Sequence, residues 1–372
     1  MTPSVLLLGW GFPPNVTGGL DVHVGELFEG LERRGVDVEL VLPEEYAPDR
    51  ENVVGVPTGE GDIITRIGRL SETFAERAAD HEIIHTHDWF GYGPGLRAKR
   101  NNDVTWVASF HSLSSDRNVD PPQREVETER RIVENADYLI SVSELLAGNL
   151  HEQYGGESEV IYNGFSSCET TDRDVRAELG IDGEMIFFVG RHTHQKGIEH
   201  LMYAMTKILD RDVTLVLGGK GHLSPQLKLF AELLGIEDRV RFPGFIPEAE
   251  LGDYYAAADV FVSPSLAEPF GITITEALSV GTPVVATECG VAEVLPENAL
   301  VEVEPDSDSI AWGIRQALAM DGAPEYDPFT WDDCVDGNLA VYERVMAERE
   351  SGGDETGEDA RQATDAEGAV EE

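Results

Sequence analysis

Residues 4–42 read SVLLLGWGFPPNVTGGLDVHVGELFEGLERRGVDVELVL. Ser4 to Gly9 is an apolar run closed by glycine, the form of a strand buried on both faces. Val22 to Arg34 then reads as a helix, and Val36 to Leu42 as a second strand, so the chain opens with a βαβ unit. The pattern recurs at Ile83-Ile84, Thr105 to Phe110, Tyr138 to Val142 and Val160 to Tyr162. Beyond these come Met185 to Gly190, Val213 to Gly218, Val240 to Phe242, Val260 to Pro264 and Pro283 to Ala286. Short apolar strands alternating with helices imply parallel sheets covered on both faces. One helix shows its core stripe directly: Ile198, Leu201, Met202, Met205, Ile208 and Leu209 fall three and four residues apart.

A length of 372 residues suits two domains. The boundary is expected near Asn163 to Arg173, where Asn-Gly, two serines and an acidic polar cluster separate two βα series. The expectation is therefore an α/β protein with two doubly wound domains in series, residues 1–165 and 166–330, facing a cleft. From Ser351 the chain is polar, with three glycines in its first seven positions, and residues 351–372 are expected to be a disordered acidic tail.

The formal charge is −44, and it is global. Residues 1–165 carry 13 basic and 29 acidic side chains, 166–350 carry 13 and 34, and 351–372 carry 1 and 8. Such a field repels phosphate backbones and anionic lipid, which excludes nucleic acid as a general partner. Of the 27 basic residues only five are lysines, Lys99, Lys196, Lys207, Lys220 and Lys228. An acid-coated, lysine-poor surface is what a high-salt, halophilic cytoplasm would select, because salt screens self-repulsion. Three scattered cysteines, Cys168, Cys289 and Cys334, suit reduced thiols in a cytoplasm. The apolar run Val5 to Trp10 is too short to span a bilayer and has no basic leader, so neither a signal peptide nor a transmembrane segment is expected.

The residues suited to chemistry sit where strands end. Gly18-Gly19 precedes a helix, where glycine admits close backbone approach and free N–H groups favour anions. Arg191 and Lys196 share the loop Gly190 to Gly197, at the carboxyl end of a strand, where open α/β sheets bind ligands. Two cations beside a cleft in so acidic a chain point to a diphosphate. Pro269 biases Glu268 away from helical angles, so Glu268 precedes the next helix while Glu276 lies inside it. The two carboxylates then bracket a ligand whose phosphates rest on the N–H groups of Phe270, Gly271, Ile272 and Thr273. His85-Thr86-His87-Asp88, Phe110-His111 and His192-x-His194 also end strands, but no third and fourth ligand follows at a telling spacing. No metal and no cofactor are expected.

These stretches resemble the retaining, nucleotide-sugar-dependent glycosyltransferases of the GT-B fold, family 4 in particular. The resemblance lies in Gly11 to Val41, His85 to Trp89, Ala136 to Ser143, Val160 to Gly164, Phe187 to Gly197 and Val240 to Leu295. Cys289 departs from it, standing where the family usually has a glycine. The resemblance implies that Arg191 and Lys196 grip the donor diphosphate, Glu276 binds the ribose and Glu268 sits by the donor sugar. It places His111 and Asp88 on the sugar from the first domain and Gly18-Gly19 near the phosphates. It also implies that residues 331–350 form a last helix returning to the first domain. The activity implied is retaining, metal-independent transfer of a sugar from a nucleoside diphosphate to a hydroxyl acceptor, whether carbohydrate, lipid-linked or small molecule. Gly11 to Leu42 and His85 to Trp89 are also similar to glycogen and starch synthases, so a glucan synthase using ADP- or UDP-glucose is an alternative. A nucleotide-sugar epimerase on the same fold is another.

Overall fold

The apolar runs become parallel strands in two sheets. The computed structural model describes residues 3–13, 18–118, 120–171, 173–320, 322–324 and 329–367. The first sheet contains β1 (Val5–Leu8), β2 (Val38–Pro43), β3 (Val53–Val56), β4 (Ile83–His87), β5 (Thr105–Phe110), β6 (Tyr138–Ser141) and β7 (Glu159–Val160). Its spatial order is β3-β2-β1-β4-β5-β6-β7. The second contains β8 (Glu184–Val189), β9 (Val213–Gly218), β10 (Val240–Gly244), β11 (Val260–Ser263), β12 (Val284–Ala286) and β13 (Leu300–Glu302), ordered β10-β9-β8-β11-β12-β13. Every pairing is parallel; for example Val5 stands beside both Val38 and Ile83.

Three local expectations are corrected. The first helix begins at Gly19, three residues before Val22, because Gly18 takes the capping position. The helix from Ile198 ends at Met205, so Leu209 leaves the stripe and is 48% exposed. The edge strands β3 and β13 escape the apolar-run reading. β3 is half-exposed apart from Val56, and β13 is three residues long and ends in an exposed glutamate.

Topology places the site. In the first sheet the strand order reverses between β1 and β4, and in the second between β8 and β11. At such a switch point the loops leaving adjacent strands turn to opposite faces and open a crevice. The four loops after β1, β4, β8 and β11 hold most of the charged residues singled out above. The two domains also touch beside this crevice. Ser143 Oγ donates to the Pro269 carbonyl at 2.7 Å, and the Glu293 carboxylate accepts the Glu144 and Leu145 N–H groups at 2.9 and 2.8 Å.

The last helix, Trp331–Glu367, lies against the first domain. Trp331, Val335, Val341, Tyr342 and Val345 share a core with Val24, Leu27, Phe28 and Leu31 of the helix Gly19–Arg33. A Cβ on Gly30 would stand 2.4 Å from Val335 Cγ2, so only glycine allows this approach. Tyr342 O–H meets His85 Nδ1 at 2.6 Å, and Arg34 pairs with Asp332 and Asp336. The helical backbone continues to Glu367, past residue 350 and into the stretch expected to be disordered. No proline interrupts residues 331–367, so the i to i−4 bonding can run on. Residues 368–372 of that stretch lie outside the described residues.

Candidate active site

The loop after β8 is shaped by one close approach. At Gly197, φ is 60° and a Cβ would stand 1.9 Å from the Pro264 carbonyl oxygen, so glycine lets this loop lie on the loop after β11. The contact brings Lys196 Nζ to Glu268 Oε2 at 2.6 Å, and Ser265 Oγ donates to the same oxygen at 2.9 Å. A lysine ammonium has three donors, so two remain for a ligand. Arg191 is exposed and makes no ion pair among the described residues.

Two helix N-termini enter from opposite domains. Gly271, with φ of 110°, precedes the helix Ile272–Ser279, and no side chain caps it. The helix Gly19–Arg33 likewise has Gly18 at its cap and no capping side chain among the described residues. A Cβ on Gly19 would sit 3.0 Å from Ile272 Cδ1, so the two ends face each other closely. First-turn N–H groups without an intrahelical partner carry partial positive charge and suit phosphate oxygens.

Asp88 directly follows β4 and is the one non-glycine residue with positive φ, 49°, among the described residues. Such strain persists where surrounding contacts overdetermine it. Here Asp88 Oδ1 accepts the His111 N–H at 2.7 Å and the Ser112 N–H at 3.3 Å, tying β4 to the exit of β5. Burial pushes its carboxyl upward, opposed by Arg117, by those N–H groups and by Arg191. His111 Nε2 lies 3.1 Å from His87 Nδ1, and burial, with the charge of His85, brings the His111 pKa down to about 3. His111 is therefore a neutral hydrogen-bonding ring at physiological pH.

Arg191, Lys196, Glu268, Asp88, His111, Gly18, Gly19 and the run Phe270, Gly271, Ile272, Thr273 all line one cavity of about 320 Å³ between the domains. Glu276 does not line it. It lies three and four residues beyond Thr273 and Ile272, on the same helix face, and accepts the Tyr255 O–H at 2.6 Å. Burial raises its pKa to about 7, with the charge of Glu248 adding and the Tyr255 hydrogen bond opposing.

Other groups in the lining gave no signal in the sequence. Asn163, read as part of a boundary turn, is buried at the cavity and bonds His23 Nδ1 at 2.7 Å. Arg117 reaches the cavity from a one-turn helix, held by the Ser112 hydroxyl and by Glu125 and Glu129. His192 is buried on Ser224 while His194 is exposed beside Glu199, so the His192-x-His194 pair points two ways. His85 is satisfied by Tyr342 and Ser109. Cys289 lines a separate depression of about 900 Å³ with Glu288, Glu293, Glu302 and Glu304. Burial, then the charge of Glu268, pushes its thiol up to about 12, which leaves no thiolate for nucleophilic work.

Two Rossmann-like domains whose switch-point loops converge on one cleft are the architecture of a GT-B glycosyltransferase. The chain belongs to glycosyltransferase family 4: residues 17–167 match the Glycosyltransferase Family 4 domain, and residues 172–327 match the domain of glycosyl transferases group 1. It is 30% identical to an uncharacterized glycosyltransferase of Methanocaldococcus jannaschii over 92% of this chain and 98% of that protein. A D-inositol 3-phosphate glycosyltransferase of Corynebacterium jeikeium is 31% identical over 86% of this chain and 82% of its own. Among solved structures, a sucrose-phosphate synthase from Thermosynechococcus elongatus superposes with a TM-score of 0.75 at 26% identity, covering 98% of this chain and 100% of that one. No helix among the described residues is long and apolar enough to cross a membrane.

Proposed function

We propose that the chain moves a sugar from a nucleoside diphosphate to a hydroxyl acceptor with retention of anomeric configuration and without a metal ion. The observation that carries this reading is the convergence of Arg191, Lys196 and two helix N-termini with glycine at the cap on the cavity that also holds Glu268 and His111. Breaking the bond between the sugar and the phosphate leaves negative charge on the diphosphate. Preorganised donors aimed at that charge act where a metal otherwise would, each contributing about 3 kcal/mol. The acceptor oxygen bonds to the anomeric carbon, and its proton passes to the departing phosphate oxygen. Glu268, positioned by Lys196 and Ser265, stabilises positive charge developing on the sugar. His111, neutral and donating or accepting, orients a sugar hydroxyl, and Asp88 fixes the backbone that presents it. Glu276 extends the site along its helix toward the donor ribose.

A relative named as a D-inositol 3-phosphate glycosyltransferase and a structural neighbour named as a sucrose-phosphate synthase put a phosphorylated small-molecule acceptor first in the acceptor panel. The test incubates the purified chain with UDP-, GDP- and ADP-sugars, with D-inositol 3-phosphate, sugar phosphates and a glucan primer as acceptors. Proton NMR reads the anomeric configuration of the product in excess EDTA. Retention with turnover surviving EDTA is expected. An inverted product, or activity lost to EDTA and restored by magnesium or manganese, would overturn the reading. A new sugar nucleotide formed without acceptor would mark an epimerase instead.

A further inference from the structure

We propose that His23, His87 and His111 form a binding site for a divalent transition ion of zinc type at the floor of the cleft. The three rings come from the helix Gly19–Arg33, the end of β4 and the residue after β5, which is why no sequence spacing announces them. One ring nitrogen from each lies within 4.8 Å of the others. His87 Nδ1 and His111 Nε2 are 3.1 Å apart, close to the separation of about 3.3 Å between two nitrogens on a tetrahedral zinc at about 2.05 Å.

Two further observations point to a ligand. His23 is 2% exposed, yet its Nε2 has no hydrogen-bond partner among the described residues. A buried polar atom left unpaired forfeits its hydrogen bond to water with nothing in return, so something belongs there. The amide of Asn163 is also oriented to present its oxygen to His23 Nδ1 at 2.7 Å. That oxygen only accepts, so Nδ1 carries the proton and Nε2 offers its lone pair, the arrangement by which an outer hydrogen bond readies a histidine for a metal. Three imidazoles without a carboxylate suit zinc and its neighbours, not magnesium or calcium. A fourth position opens past His111 into the cavity, which also serves as the path of entry.

The ion site stands independently of the donor reading. If that reading holds, ion and donor sugar contend for His111, and zinc inhibits where EDTA does not.

The test strips the full chain with EDTA, removes the chelator and titrates zinc chloride against a chromophoric indicator. Cobalt substitution then reads the ligand set from its visible spectrum. One ion per chain is expected, with affinity falling by about 10²-fold or more in His111→Ala and His87→Gln. His111 is only half-buried, so its variant is the safer to fold, and circular dichroism checks both. The double variant His194→Ala/His222→Ala removes a competing surface pair whose rings are 6.0 Å apart, and should bind as wild type does. Absence of stoichiometric uptake, which is what a trio holding a water molecule gives, overturns the proposal. So does uptake untouched by His111→Ala and His87→Gln, or uptake lost in the surface double variant.

Discussion

Lys196 gives one donor to Glu268 before any ligand arrives, and Arg191 gives none within the described structure. In the proposed reaction their attraction for a diphosphate grows as the leaving group gains charge, so Arg191→Ala and Lys196→Ala should each lower kcat by about 10². Donor-saturation kinetics on variants checked for folding would show it, and near-wild-type kcat in both would remove the diphosphate from this loop. Glu276→Ala should instead raise donor KM with kcat less affected, because a ribose contact serves ground state and transition state alike. Glu276 adds a pH signature. Its folded pKa of about 7 lies above the ordinary carboxyl value of about 4.3. The linked stabilisation is full below that ordinary range and is lost as pH rises through 7. Ionisation also strengthens its hydrogen bonds to hydroxyls, so donor KM should fall over the same interval. Both trends should vanish in Glu276→Gln; a melting curve series from pH 5 to 8 that matches wild type in this variant would refute the assignment.

Among the elements, the helix Glu144–Tyr154 depends on both domains. Ser143 Oγ accepts the Leu146 N–H at 3.0 Å as a cap and donates to Pro269 across the interface. Ser143→Ala should cost about 1–2 kcal/mol, read as a lower urea midpoint. Tyr342→Phe strips the partner from buried His85 Nδ1 and should cost about 1–3 kcal/mol by the same measurement. The central strands of each sheet were legible because both their faces are buried and the sequence there is unbroken apolar. Edge strands β3 and β13 were not, since half-exposed residues leave no such run. The cavity loops were legible wherever a charge stood beside a glycine or proline at a strand end, as at Arg191, Lys196 and Glu268. Asn163 and Arg117 reach the cavity, and His23 reaches His111, only through packing between elements distant in sequence, and their neighbours along the chain carry no mark of it. The helix past residue 350 was hidden by glycine-rich, acidic composition.

The whole molecule carries a formal charge of −44 with both signs unevenly matched throughout. The screening length grows from about 3 Å at 1 M salt to about 30 Å at 0.01 M, so self-repulsion across the molecule strengthens as salt is removed. The melting temperature should therefore fall from molar to millimolar KCl, and a value constant across that range would sink the high-salt reading. The return of the helix Trp331–Glu367 to the first domain has a different consequence, for inheritance and engineering. The domain of the second sheet is an insertion within the other, entered after β7 and left before the helix Trp331–Glu367. Exchanging it for a homologue's takes two junctions, and the closing helix must come from the same parent as Gly30, whose missing side chain makes room for Val335. A chimera cut once would mate two surfaces that never evolved together.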